Sequence, residues 1–112
     1  MEIVVTDARI DFDRMTVRQG ANMRRLTRQT AGILRALVEA DGQVVSKDDL
    51  IAHVWEGRII TDATLSTAIK EARRAVGDTG SAQNILETVH GVGFRLAVPV
   101  DRATAAPVRV QQ

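Results

Sequence analysis

Ala63, Thr67, Lys70 and Arg74 recur four, three and four residues apart, with Thr64 and Glu71 beside them, the interval that gathers side chains on one face of a helix. Lys and Arg can donate to guanine edges or to phosphate, Glu can accept from the cytosine amino group, and Thr or Ala methyls can touch the thymine methyl. By helical spacing alone the row reads first as an ordinary solvated face, which is what most charged helix faces are. Arg73 lies about 80° from the apolar centre of that helix. On such a shoulder a phosphate contact is expected before a base contact, with a surface ion pair as the plain alternative.

The remaining reactive residue types do not assemble into a catalytic or metal-binding set. Asp48 and Asp49 are adjacent, and adjacent helical positions point about 100° apart. Their place in a first helical turn suits the helix dipole instead. With no cysteine and two histidines, His53 and His90, a zinc site would need carboxylates in an unusual arrangement, so neither metal nor cofactor is expected. Gly91-Val92-Gly93 leads into Phe94-Arg95-Leu96, which reads as strand, whereas a dinucleotide fingerprint needs a helix there. Without a nucleophile, base and orienting group, no enzyme and no small-molecule substrate are expected. Trp55 reads as core, with an indole N–H able to meet a phosphate at the helix rim.

The positioning elements follow from periodicity. Ile10 and Phe12 alternate with Arg9, Asp11 and Asp13, and Met15 and Val17 with Thr16 and Arg18, which predicts a meander of four short antiparallel strands over residues 2 to 26. At Thr27 the period changes. Ile33, Leu34, Leu37 and Val38 predict a first helix, capped by Thr27 and stopped near Gly42. Val44-Val45 is a short apolar link to Ser46, which caps a second helix ending at Gly57. A third helix runs from the expected cap Asp62 to about Val76, with Leu65, Ile69, Ala72 and Val76 on its buried side. After a polar loop, residues 85–98 return as a strand–turn–strand hairpin.

At 112 residues, with 45% hydrophobic and 26% charged residues, the chain suits one modest core. Residues 1–98 are expected to form the domain and 99–112, rich in Ala, Thr, Pro and Val, a flexible tail or linker. No apolar run approaches the ~20 residues of a membrane span, and a cytoplasmic location is expected. The net charge of +1 does not by itself argue for nucleic acid, so the placement of charge has to carry any such case.

The order of four strands, three helices and a hairpin, with Leu26-Thr27, Trp55, Ile69 followed by Arg73-Arg74, and Thr88-Val89-His90-Gly91-Val92-Gly93-Phe94-Arg95, resembles the OmpR/PhoB-type winged helix-turn-helix domain over residues 2 to 98. The resemblance implies an α+β winged-helix fold and a transcription regulator that binds double-stranded DNA. It implies that helix 62–76 enters the major groove and that wing 85–98 lies on the adjacent backbone or minor groove. Thr64, Thr67, Lys70, Glu71, Arg73, Arg74, His90 and Trp55 are then the candidate DNA-binding residues, Arg58 and Ile59 face RNA polymerase, and paired sites imply a dimer on DNA. Three positions depart from the family pattern: Thr30 replaces the Glu of a capping box, Glu71 stands where a basic residue is common, and His90 stands where Arg is common. No receiver domain is expected ahead of it, and a ToxR/CadC-like arrangement is expected instead. A winged-helix protein adaptor that has lost DNA binding is the alternative.

Overall fold

The switch of period at Thr27 marks the passage from a sheet layer to a helical layer. The computed structural model describes residues 2–56 and 58–102. Strands β1 (Glu2–Val5), β2 (Ala8–Asp11), β3 (Thr16–Gln19) and β4 (Asn22–Arg25) form the expected antiparallel meander. Alternation sends Ile3, Val5, Ala8, Ile10 and Val17 into the core, while Arg9 and Arg18, opposite each other across β2 and β3, stay exposed. All four residues of β4 are exposed.

The sheet has a fifth strand. Val100–Arg102 forms β8 and pairs antiparallel with β1, giving the order β4-β3-β2-β1-β8. Val100–Arg102 therefore leaves the stretch 99–112 that was expected to be a tail. The outer edge of β1 offers unpaired backbone groups, and Val100 comes opposite Val5 and packs against the core. Gly57, expected to end the second helix, and the rest of the tail from residue 103 lie outside the described residues.

The helices are α1 (Arg28–Ala40), α2 (Lys47–Trp55) and α3 (Asp62–Ala75). Each opens on a hydroxyl that accepts a backbone N–H three residues on: Thr27 from Thr30, Ser46 from Asp49 and Thr61 from Thr64, all at 3.1 Å. Such caps satisfy an orphan donor of the first turn. The third cap is thus Thr61 and not the expected Asp62. Thr61 holds extended backbone, and Asp62 becomes the first helical residue, where a carboxylate suits the dipole. Thr27 also donates its hydroxyl to that of Thr30 at 2.9 Å, so a hydroxyl pair stands where a capping box would use Glu. The Thr61 and Thr64 hydroxyls repeat it at 3.0 Å.

A second, three-stranded sheet holds β5 (Val45–Ser46), β7 (Gly93–Leu96) and β6 (Leu86–Val89) in that order. β5 is the segment read as an apolar link; two residues are too short to show a period. The two wing glycines answer different needs. Gly91 has φ +75° and supplies the turn, whereas a Cβ on Gly93 would sit 1.9 Å from the Val45 carbonyl oxygen. One buried cluster joins Ile3 and Ile10 of the sheet, Ile33, Leu34 and Leu37 of α1, Leu50 of α2, Ile69 of α3, and Leu86 and Leu96 of the wing.

Candidate nucleic-acid interface

Helix α3 is divided by burial. Leu65, Ala68, Ile69, Ala72 and Ala75 are buried, whereas Ala63, Ser66, Thr67, Lys70, Glu71 and Arg74 are exposed and Thr64 is intermediate. Lys70, Glu71 and Arg74 enter no side-chain hydrogen bond or ion pair among the described residues. Their charges hold nothing in the fold together.

Arg73 is placed otherwise than expected. It is 8% exposed; its Nε donates to the Leu86 carbonyl at 3.0 Å and an Nη to the Thr88 hydroxyl at 2.7 Å. The flank that looked like an open shoulder is covered by β6, so Arg73 braces the wing against α3. Burial pulls the guanidinium below its usual pKa, and the Asp78 carboxylate partly opposes this.

Asp78, in the loop after α3, was missed by sequence reasoning beyond its place in a polar loop. It is 6% exposed. Its Oδ1 accepts from Thr79 N (2.8 Å) and Asn84 N (3.0 Å), and its Oδ2 from Ile85 N (2.9 Å) and Leu86 N (2.8 Å). Burial raises the carboxyl pKa, but the four backbone donors outweigh it and hold the group below its ordinary 3.8. An Asp directly after a helix-ending Gly, ahead of Gly80 and Ser81, was the available signal, because Asp readily caps nearby backbone N–H groups in turns. Beyond it, Gln83 accepts from Thr88 N at 2.9 Å. Arg95 donates from Nε to the Gly42 carbonyl at 3.1 Å and pairs with Glu87.

Two grooves of about 200 Å³ each flank α3. The wing-side groove is bordered by Lys47, Asp62, Ser66 and His90. Lys47 stands 4.0 Å from the Asp62 carboxylate, and its backbone N–H reaches the Val92 carbonyl at 3.4 Å. His90 is exposed in the wing turn. The opposite groove is bordered by Arg24, Arg25, Thr27, Glu71 and Arg74.

Trp55 is 4% exposed and belongs to the core, which removes it from the helix rim. Its carbonyl accepts from the Arg58 backbone N–H at 3.0 Å and from Arg58 Nε at 3.3 Å, so Arg58 folds back on the end of α2. Ile59 is 101% exposed. No described helix is long and apolar enough to cross a membrane.

The family model described as "Transcriptional regulatory protein, C terminal" matches residues 21–96. The transcriptional regulatory protein BaeR of Escherichia coli O6:H1 is 31% identical over 87 residues, covering 77% of this chain and 36% of BaeR. The chain thus spans little more than a third of that relative. Among solved structures, the DNA-binding domain of E. coli CadC superposes with a TM-score of 0.77 at 23% identity, covering 89% of this chain and 94% of that one. The Klebsiella pneumoniae RstA DNA-binding domain, solved in complex with the RstA box, gives 0.73 at 22% identity, covering 86% and 96%. At these identities the structural likenesses speak for the fold.

Proposed function

The chain belongs to the transcriptional regulatory protein C-terminal family, the OmpR/PhoB-type DNA-binding domain, and on that premise we propose that it reads double-stranded DNA sequence-specifically. Helix α3 lies in the major groove and the β6–β7 wing against the neighbouring backbone or minor groove. The observation that carries this reading is the exposed row Thr67, Lys70, Glu71 and Arg74, whose charged members have no partner among the described residues. Arg74 donates to a guanine edge, Lys70 to guanine or phosphate, and Glu71 accepts from a cytosine amino group. Thr64 and Thr67 offer methyls and hydroxyls, and His90 touches the backbone from the wing turn. Arg73 serves this surface by holding the wing in place.

One module of this size buries limited surface on DNA, so paired sites and a dimer on DNA belong to the proposal. So does action in the cytoplasm, where bacterial promoters lie. Contact with RNA polymerase is supported by Ile59, an apolar side chain left wholly in water between α2 and α3, beside Arg58.

The test is a mobility-shift titration against promoter fragments at two salt concentrations. Specific retardation that survives the higher salt is expected. Glu71→Ala is expected to raise non-specific affinity while losing preference at one base pair. If neither Glu71→Ala nor Arg74→Ala changes affinity or base preference, α3 does not read DNA and the protein-adaptor alternative takes its place. Arg58→Ala and Ile59→Ala are expected to reduce transcription and leave DNA binding intact.

A further inference from the structure

From Arg14 to Val38 the chain carries six arginines and no carboxylate, although the whole protein has a formal charge of only +1. Two of the six are balanced locally: Arg14 lies 3.9 Å from Asp11, and Arg35 lies 3.5 Å from Glu39. Among the described residues Arg18, Arg24, Arg25 and Arg28 have no ion pair. Arg24 and Arg25 stand on β4, the free edge of the five-stranded sheet, and border the same groove as Arg74. Arg28 is the first residue of α1, a helix with no acid in its first turn. A cation there opposes the helix dipole, and an arrangement that folding disfavours is the kind retained for a ligand. The α1 start runs beside the DNA-facing row, since Gln29 shares a surface hollow with Ala63, Thr64 and Thr67.

We propose that Arg24, Arg25 and Arg28 form a second backbone clamp, which holds DNA phosphates on the side of α3 away from the wing. The inference rests on the reading of α3 as the DNA-facing helix. Its ligand is the phosphate backbone of duplex DNA, because the patch adjoins Arg74 and its guanidiniums have no acceptors of their own. On the wing flank the Lys47 ammonium has a carboxylate, Asp62, 4.0 Å away, whereas Arg24, Arg25 and Arg28 have none among the described residues. Among the described residues Glu71 is the one carboxylate bordering the clamp groove.

The experiment follows fluorescence anisotropy of a labelled mixed-sequence duplex of about 30 base pairs with the full chain across a salt series. For Arg24→Ala/Arg25→Ala the slope of log affinity against log salt is expected to fall by about two units, close to one per lost phosphate contact, with thermal stability unchanged because both side chains are exposed. Lys70→Ala tests α3 separately, and Arg14→Ala removes an arginine from outside the patch. A slope unchanged in the double variant but reduced in Lys70→Ala overturns the clamp and leaves α3 standing. An equal loss per charge in Arg14→Ala shows that total charge is being read, and also overturns it. Failure of the unsubstituted chain to bind the duplex at any salt overturns both readings.

Discussion

Arg73 and Arg74 are neighbours in the chain and serve the two flanks of α3. On the wing flank Arg73 is buried and bound to Leu86 and Thr88, Asp78 gathers four backbone donors at the wing root, and Lys47 leans on Asp62. On the opposite flank Arg74, Arg24 and Arg25 border an open groove. One flank is built from charges with acceptors inside the fold, and the other presents charges whose acceptors must come from outside. The lesson is that charge type does not assign a role; the built-in acceptor does. Removing Arg73 or Asp78 should damage the fold, and removing a charge from the opposite flank should damage binding.

The largest effect is expected at Asp78. Asp78→Ala leaves four backbone N–H groups without their acceptor, those of Ile85 and Leu86 buried, and should cost about 3 kcal/mol of unfolding free energy in a urea titration. A loss below about 1 kcal/mol would show that the wing root stands without it. The carboxyl pKa is lower in the folded state, so its stabilisation is complete above the unfolded value of about 3.9 and is lost as pH falls through the folded value. Asp78→Asn should therefore flatten the fall in stability below about pH 4. Next in size, Gly93→Ala should cost about 2 kcal/mol, because the β5–β7 pairing must open to admit a Cβ. Retention of full thermal stability would mean that β5 moves freely.

The adjacent arginines give the most direct comparison. Arg73→Ala should lower stability by about 1–3 kcal/mol, whereas Arg74→Ala should stay within about 0.5 kcal/mol of the parent. In binding the order reverses, with Arg74→Ala losing about 1–3 kcal/mol at its preferred site. Equal stability losses in the two variants would erase the distinction between flanks. The smallest change is expected from His90→Arg. Arginine brings a permanent cation to the turn, and the salt slope should steepen by about one unit. An unchanged slope would place the wing turn away from DNA.

The elements with strong periodicity were legible in the sequence: the β1–β4 meander, the three helices and the wing hairpin all occur where alternation and helical spacing put them. Thr27 and Ser46 were readable as caps because hydroxyl residues precede apolar helical runs. Asp62 was mistaken for a cap because Thr61 beside it serves equally well, and only backbone conformation separates them. β8 was hidden because its partner β1 lies at the other end of the chain, and composition says nothing of a free edge that distant. The row from Thr67 to Arg74 was visible in outline, but Arg73 was not separable from Arg74 without knowing that β6 covers one shoulder. The uncompensated arginines of β4 and α1 were visible as composition, yet a whole-chain charge near zero concealed them.

The pairing of β8 with β1 also bears on how the domain responds to being pulled. Ile3 is opposite Arg102 and Val5 opposite Val100, so the start of β1 and the finish of β8 lie side by side. Tension applied through both enters the ladder at one end and opens its bonds one after another, as a zipper does, instead of shearing all of them together.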